Sequence, residues 1–202
     1  PSMIGGSADL TGNTGTLINS FEGFSPSNYS GRQLYFGIRE HAMSAIAVGM
    51  SAGYGLMSFT GTFFVFSDYM KPSIRLAALN NLPVLFVFSH DSIGVGEDGP
   101  THQPIEHLAA LRAMPGVNVV RPCDAYETAA AIENHFLNAD GPTVLITSRQ
   151  NLPVLEGTHE KARKTINSGA EVLRDGSYVT LVGTGSEVHL CVEAADILEN
   201  DH

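Results

Sequence analysis

Val84-Leu85-Phe86-Val87-Phe88 is an unbroken apolar run, set off by Pro83 before it and by a polar, glycine-containing loop after it. Two of its five residues are β-branched and none is charged, so both faces of the strand it predicts must be covered by other parts of the chain. A strand covered on both faces belongs in a mostly parallel sheet with helices on either side. The flanking sequence supplies the partners. Residues 34–38, 56–60, 117–120 and 143–147 read as further strands, the third ended by Pro122 and the fourth preceded by the turn pair Gly141-Pro142. Between them, residues 40–53 carry Ala42, Ile46, Gly49 and Met50 at helical spacing, and residues 67–79 read as a helix with Pro72 in its first turns. Residues 125–137 form an amphipathic helix with Asp124 placed to cap it. Strand–helix alternation of this kind requires right-handed crossovers, and it gathers functional loops at the carboxyl ends of the strands.

The chain has 202 residues, 43% of them hydrophobic, enough for one packed α/β domain and the start of a second. The first domain is expected over residues 1–153. Residues 154–170 are polar, lack a clear apolar period and read as a linker. Residues 171–202 read as the first βα unit of a second, truncated α/β domain: a strand at 178–182, a turn at Gly183-Thr184-Gly185-Ser186 and a helix from 187 to 200. The start at Pro1 and the stop inside a helical pattern suggest that both ends continue in something longer. A formal net charge of −10 opposes nucleic-acid binding, but leaves room for small phosphorylated ligands in a local cationic pocket. The two cysteines, Cys123 and Cys191, lack metal-site spacing and fit ordinary thiols in a reducing, cytoplasmic compartment. No secretory leader is read at the start, and the longest apolar stretch, residues 82–88, is too short to cross a bilayer.

Three stretches carry chemistry-bearing side chains. Gly37-Ile38-Arg39-Glu40-His41-Ala42-Met43 sets a carboxylate where a strand becomes a helix, a position that a first-turn glutamate also takes simply to complement the helix dipole. In Thr60-Gly61-Thr62-Phe63-Phe64-Val65-Phe66-Ser67-Asp68-Tyr69, three aromatic residues stand three apart, so Phe63, Phe66 and Tyr69 share one face of a helical turn. Such a face serves either as core or as the wall of a flat, apolar pocket. The loop after the best strand runs from His90 to Pro104 and holds two histidines, three carboxylates and three glycines. That composition suits close backbone approach to a ligand and proton exchange near neutral pH. A hydrolytic metal site on His90, Asp91, Asp98 and His102 is an alternative, although the compact spacing of a helical metal motif is missing and no metal ligands are assigned. Gly94-Val95-Gly96 and Gly183-Thr184-Gly185 each begin but do not complete a dinucleotide-binding fingerprint.

Taken in order, Gly5-Gly6-Ser7-Ala8-Asp9-Leu10-Thr11, residues 36–43, Gly61-Thr62-Phe63, residues 90–106 and Ser148-Arg149-Gln150-Asn151-Leu152-Pro153 resemble the transketolase family along nearly the whole chain. The resemblance implies a pyrimidine-binding α/β domain for thiamine diphosphate, followed by the opening of the family's C-terminal domain. It implies that Glu40 hydrogen-bonds the cofactor's pyrimidine from an apolar surrounding, and that Phe63, Phe66 and Tyr69 cradle that ring. By the same resemblance Asp9 lies near the thiazolium side. His90, His102, Asp98 and Arg149 contact a sugar phosphate, with His90 and His102 close enough to the chemistry to count as catalytic. The implied activity is transfer of a two-carbon ketol unit between sugar phosphates, as in the pentose phosphate pathway. Where relatives carry Pro-Ser-Asn after Asp9-Leu10-Thr11, this chain has Gly12-Asn13-Thr14, leaving Asn13 or Thr14 to meet phosphate. The Gly-Asp-Gly motif that holds diphosphate and magnesium in such enzymes is not found. The resemblance places it on a separate N-terminal domain, with a homodimer completing the site. A formaldehyde-using dihydroxyacetone synthase relative, and a non-catalytic fragment or split-enzyme subunit, are the alternatives.

Overall fold

The computed structural model describes residues 3–201. Six strands form one sheet: β1 (Met3–Ser7), β2 (Gln33–Tyr35), β3 (Met57–Phe63), β4 (Val84–Ser89), β5 (Asn118–Val120) and β6 (Thr143–Ile146), in the spatial order β2-β1-β3-β4-β6-β5. The β1–β2, β1–β3, β3–β4 and β4–β6 ladders are all parallel. The apolar run of residues 84–88 therefore lies inside the sheet, with Val84, Phe86 and Phe88 entirely buried. Helices α1 (Glu40–Tyr54), α2 (Lys71–Leu79) and α3 (His107–Arg112) bring Met43, Ala47, Ile74, Ala77 and Leu111 into the same core, beside Val144 and Ile146 of β6. The α/β class with a parallel sheet and covering helices is as expected.

The residues divide into two compact units. One consists of the chain up to Val119 together with Ala139–Arg149, and the other of Val120–Asn138 with everything from Gln150 onward. The second unit contains α4 (Ala125–Asn138), α5 (Thr158–Ser168) and α6 (Val188–Asp201). Asp124 caps α4, its Oδ1 accepting the backbone N–H groups of Tyr126 and Glu127 at 3.0 Å each. Its Oδ2 accepts the Thr158 hydroxyl and the Leu155 N–H, so one buried carboxylate fixes the start of two helices.

Two features differ from the local reading. Residues 154–170, expected as a polar linker, hold a helix: α5 occupies most of them, bracketed by Gly157 and Gly169 at positive φ. Its buried residues are only Thr158 and Ala162, both small and neither strongly apolar, so no hydrophobic period betrays it. The strand expected at 178–182 does not form. Tyr178, Val179 and Val182 are exposed there, and among the described residues no neighbouring strand offers a ladder. β-branched residues favour a strand only where backbone partners exist to pair with. In contrast, the turn at 183–186 is firmly held: Arg121 donates to the Thr184 carbonyl at 2.8 Å, to the Ser186 hydroxyl at 2.9 Å and to the Glu187 carboxylate.

Burial of Cys123 beside Glu127 and Asp124 pushes its thiol well above the usual range, which suits a structural thiol. Replacing Asp124 with Ala removes the cap, takes the acceptor from the Leu155 N–H and leaves the Thr158 hydroxyl with the Leu155 carbonyl. It is expected to destabilise the second unit by about 2 kcal/mol or more, read as a lowered urea midpoint. An unchanged midpoint would show that Asp124 does not organise this unit.

Candidate functional site

The parallel register decides where the loops emerge. Ser7 of β1 lies beside Gly61 of β3, and Phe63 of β3 beside Ser89 of β4, so the segments that follow these strands leave from one edge of the sheet. Asp9 follows β1, a tight 3₁₀ turn (Phe64–Tyr69) follows β3, His90 follows β4 and Arg149 follows β6. Asp9 and His90 both hold positive φ, 65° and 63°. Non-glycine residues in that region store strain, and such strain concentrates at functional sites.

The 3₁₀ turn explains the aromatic spacing. With three residues per turn, side chains three apart fall in line. Phe63 and Phe66 stack with ring centres 6.1 Å apart, and Phe66 meets Tyr69 at 6.2 Å. Phe64, one position along, points the other way into the core against Phe88. His90 stacks on Phe63 at 3.8 Å, while His102 packs edge-on against Phe66 at 5.3 Å. Both predicted histidines thus join the aromatic group. Tyr69 remains 62% exposed, so the row ends as an open wall rather than as sealed core.

Glu40 is the first residue of α1 and is buried, 8% exposed. Its Oε1 accepts the hydroxyl of Thr62, the residue before Phe63, at 3.3 Å. A buried carboxyl group with one oxygen bonded to the residue before Phe63 leaves its other oxygen for the polar edge of a flat heterocycle. The residues present therefore fit a bound aminopyrimidine. Next to Glu40, His41 Nδ1 lies 3.3 Å from the Tyr69 carbonyl, which ties the far end of the aromatic turn to α1.

The loop beyond β4 folds into two short 3₁₀ turns, Gly96–Asp98 and Pro100–His102. Gly99 joins them at φ 76°, ψ −167°, a conformation open in practice to glycine alone. Gln103 Nε2 donates to the Ile93 carbonyl at 3.0 Å and closes the loop on itself. Burial holds His90 below its ordinary pKa, helped by the nearby charges of Arg149 and His102 and opposed by Asp98 and Asp91. The same electrostatic neighbourhood therefore contains His90, Asp98, His102 and Arg149.

Asp9 and Asn13 are exposed on the loop after β1, and among the described residues no hydrogen bond or ring contact ties them to the aromatic group. Thr14 is buried, and its hydroxyl donates to the Leu10 carbonyl at 2.9 Å while meeting Thr16 at 2.8 Å. Of the alternative metal set, His90, Asp91, Asp98 and His102 do not bring ligand atoms together. Among the described residues the grouping that does is Asp68, Glu106 and His107. Sequence reading assigned no role to Thr62, His41 or the Asp68–His107 pair. Thr62 left a trace, as a polar residue in a strand otherwise destined for burial.

The candidate site lies at the carboxyl edge of a parallel α/β sheet. Residues 1–154 match the family described as transketolase, pyrimidine binding domain, and residues 168–202 match transketolase, C-terminal domain. The chain belongs to the transketolase family. It is 52% identical to the transketolase of Halalkalibacterium halodurans over 204 residues, covering 100% of this chain and 31% of that protein. It superposes with a TM-score of 0.92 and 44% identity on a Pichia stipitis transketolase solved in complex with sedoheptulose 7-phosphate, covering 100% of this chain and 30% of that one. A more distant structure, a split-gene transketolase described as an inactive β4 tetramer, is 27% identical with a TM-score of 0.77, and here the chain covers 62% of its relative. The chain spans less than a third of the length of the curated relatives it matches. Among the described residues no helix is long and apolar enough to cross a membrane.

A histidine held below its ordinary pKa keeps its full stabilising effect above the unfolded value of 6.5 and loses it as pH falls toward the folded value. The thermal midpoint should therefore drop more steeply for the native chain than for His90→Asn between about pH 6.5 and 5, asparagine being tolerated at positive φ. Parallel curves would show that His90 is not held neutral by its surroundings.

Proposed function

We propose that this chain supplies the pyrimidine-side half of a transketolase site that moves a two-carbon ketol unit from a ketose phosphate to an aldose phosphate. The observation that carries this reading is Glu40, buried and bonded to Thr62, beside the stacked wall of Phe63, Phe66 and Tyr69. Thiamine diphosphate, when bound, would supply a nucleophilic carbon and a sink for the charge on the transferred two-carbon unit. Glu40 holds a proton at the ring edge and sets the ring's tautomer. The aromatic residues orient the ring and keep water from Glu40. His90 and His102, packed on Phe63 and Phe66, stand over that wall to orient the sugar and move protons at its hydroxyl oxygens. His90 is suited to accept a proton, since its surroundings favour the neutral ring. Asp98 accepts from a substrate hydroxyl, and the planar fork of Arg149 suits a terminal phosphate. Asp9 and Asn13 complete the rim at the end of β1.

The diphosphate and its magnesium ion have no assigned ligands on this chain, so another domain must provide them, with a homodimer as the assembly that faces the two halves together. A cytoplasmic setting matches this chemistry. The split-gene relative supports a second reading, in which a chain of this kind is one inactive subunit that awaits a diphosphate-binding partner.

In an enzyme assembled from this chain and a diphosphate-binding half, Glu40→Ala is expected to lower ketol transfer at least about 100-fold while leaving the thermal midpoint near that of the native protein. Asp98→Ala should raise KM for phosphorylated sugars more than it weakens cofactor affinity. Unchanged turnover in Glu40→Ala would remove the central residue from the mechanism. A clear preference for formaldehyde over ribose 5-phosphate as acceptor would favour the dihydroxyacetone synthase reading. Tight binding of thiamine diphosphate by the isolated chain in calorimetry would overturn the need for a second half.

A further inference from the structure

The aromatic turn is fastened at both sides of its last residues. On one side His41 meets the Tyr69 carbonyl. On the other, His107, the first residue of α3, reaches back across the site loop to Asp68, with Nε2 3.1 Å from Oδ2. A carboxylate only accepts, so Nε2 carries the proton. The other oxygen of Asp68 takes the Lys71 ammonium at 2.6 Å. His107 is 4% exposed and its ring packs against Phe64 at 5.8 Å. Its Nδ1 is buried without a hydrogen-bond partner, the nearest carboxylate oxygen being that of Glu106 at 3.8 Å. Burying an imidazole in this way is unfavourable unless the bond at its other nitrogen compensates. Lys71 already neutralises Asp68, which argues against a cation shared by Asp68, Glu106 and His107.

Asp68 belongs to the turn that carries Phe66 and Tyr69, whereas His107 follows directly on the loop that carries Asp98 and His102. We propose that Asp68 and His107 are a positioning pair that locks the aromatic wall to the substrate loop, so that the cofactor side and the sugar side of the site hold one fixed spacing. The inference rests on the reading of these two segments as walls of one ligand site. It adds a residue that touches neither ligand but sets the distance between groups that do.

The test is hydrogen–deuterium exchange on the full 202-residue chain without cofactor, following residues 64–70, residues 96–106 and β4 separately. Met70 N–H, bonded to the Ser67 carbonyl, and His102 N–H, bonded to the Gly99 carbonyl, report on the two walls. His107→Phe keeps a flat aromatic ring, somewhat larger than imidazole, and removes the hydrogen bond. It is expected to speed exchange in both walls together by about tenfold and to leave β4 unchanged. His107→Gln, whose amide reaches the position of Nε2, should restore exchange to within about twofold of the native chain. Asp68→Ala, which removes the acceptor at a side chain 46% exposed, should behave as His107→Phe does. Acceleration confined to one wall, equal acceleration in β4, or no rescue by His107→Gln would each overturn the proposal. Because no cofactor takes part, a failed ketol-transfer assay beside a positive exchange result would count against the proposed function alone.

Discussion

The sheet depends on a place where two neighbouring strands come too close for any side chain. A Cβ on Gly5 would lie 2.0 Å from the Phe59 carbonyl oxygen of β3, and one on Gly6 would lie 1.7 Å from that of Leu34 in β2. These are backbone atoms within a hydrogen-bonded ladder, so they have nowhere to move. The glycine pair therefore lets β1 sit between β2 and β3 in register, with Ser7 opposite both Tyr35 and Gly61. That register fixes which residues emerge from the carboxyl edge, and with it the spacing of Asp9, Glu40, the aromatic turn and His90.

From this edge the site is built by short, strained or tightly wound pieces rather than by long elements. His90 is held at positive φ while its ring lies on Phe63 at the end of β3, and the 3₁₀ turn that follows carries Phe66 and Tyr69 in line behind Phe63. Such geometry persists only where the surroundings over-determine it. Here they do so through the buried bond from Thr62 to Glu40, the reach of His41 to Tyr69 and the Asp68–His107 pair. The first of these takes a carboxyl group out of water and bonds it to the residue before the aromatic row, the arrangement on which the proposed function rests.

Much of the fold was legible because the driving pattern was strong. The apolar run of β4 and the helix spacing of α1 are signals of burial, and Asp124 was recognisable as a cap from its place before α4. Where burial was slight, reading failed. Helix α5 anchors through Thr158 and Ala162, and its stability comes from Asp124, 34 residues away in sequence, which no local pattern reveals. The stretch 178–182 erred the other way: its residues favour a strand, but a strand is a relation between two backbones and none stands beside it among the described residues. The site shows the same division. Residues with distinctive chemistry at distinctive spacing, such as Glu40 and His90, stand out as candidates in the sequence, whereas partners that matter only through folding, such as Thr62 and His107, do not.

By itself, the sequence determined the alternation of strands and helices, the parallel class of the sheet, the aromatic period of three and the family, because each is carried by residue types at short spacing. Tertiary structure alone decided that Thr14 turns inward to Leu10 and Thr16, that Thr62 finds Glu40, and that Asp68 finds His107 across 39 residues of chain. Hydrogen bonds of that kind depend on where separate segments arrive once the core has packed, and a local pattern does not encode those distances.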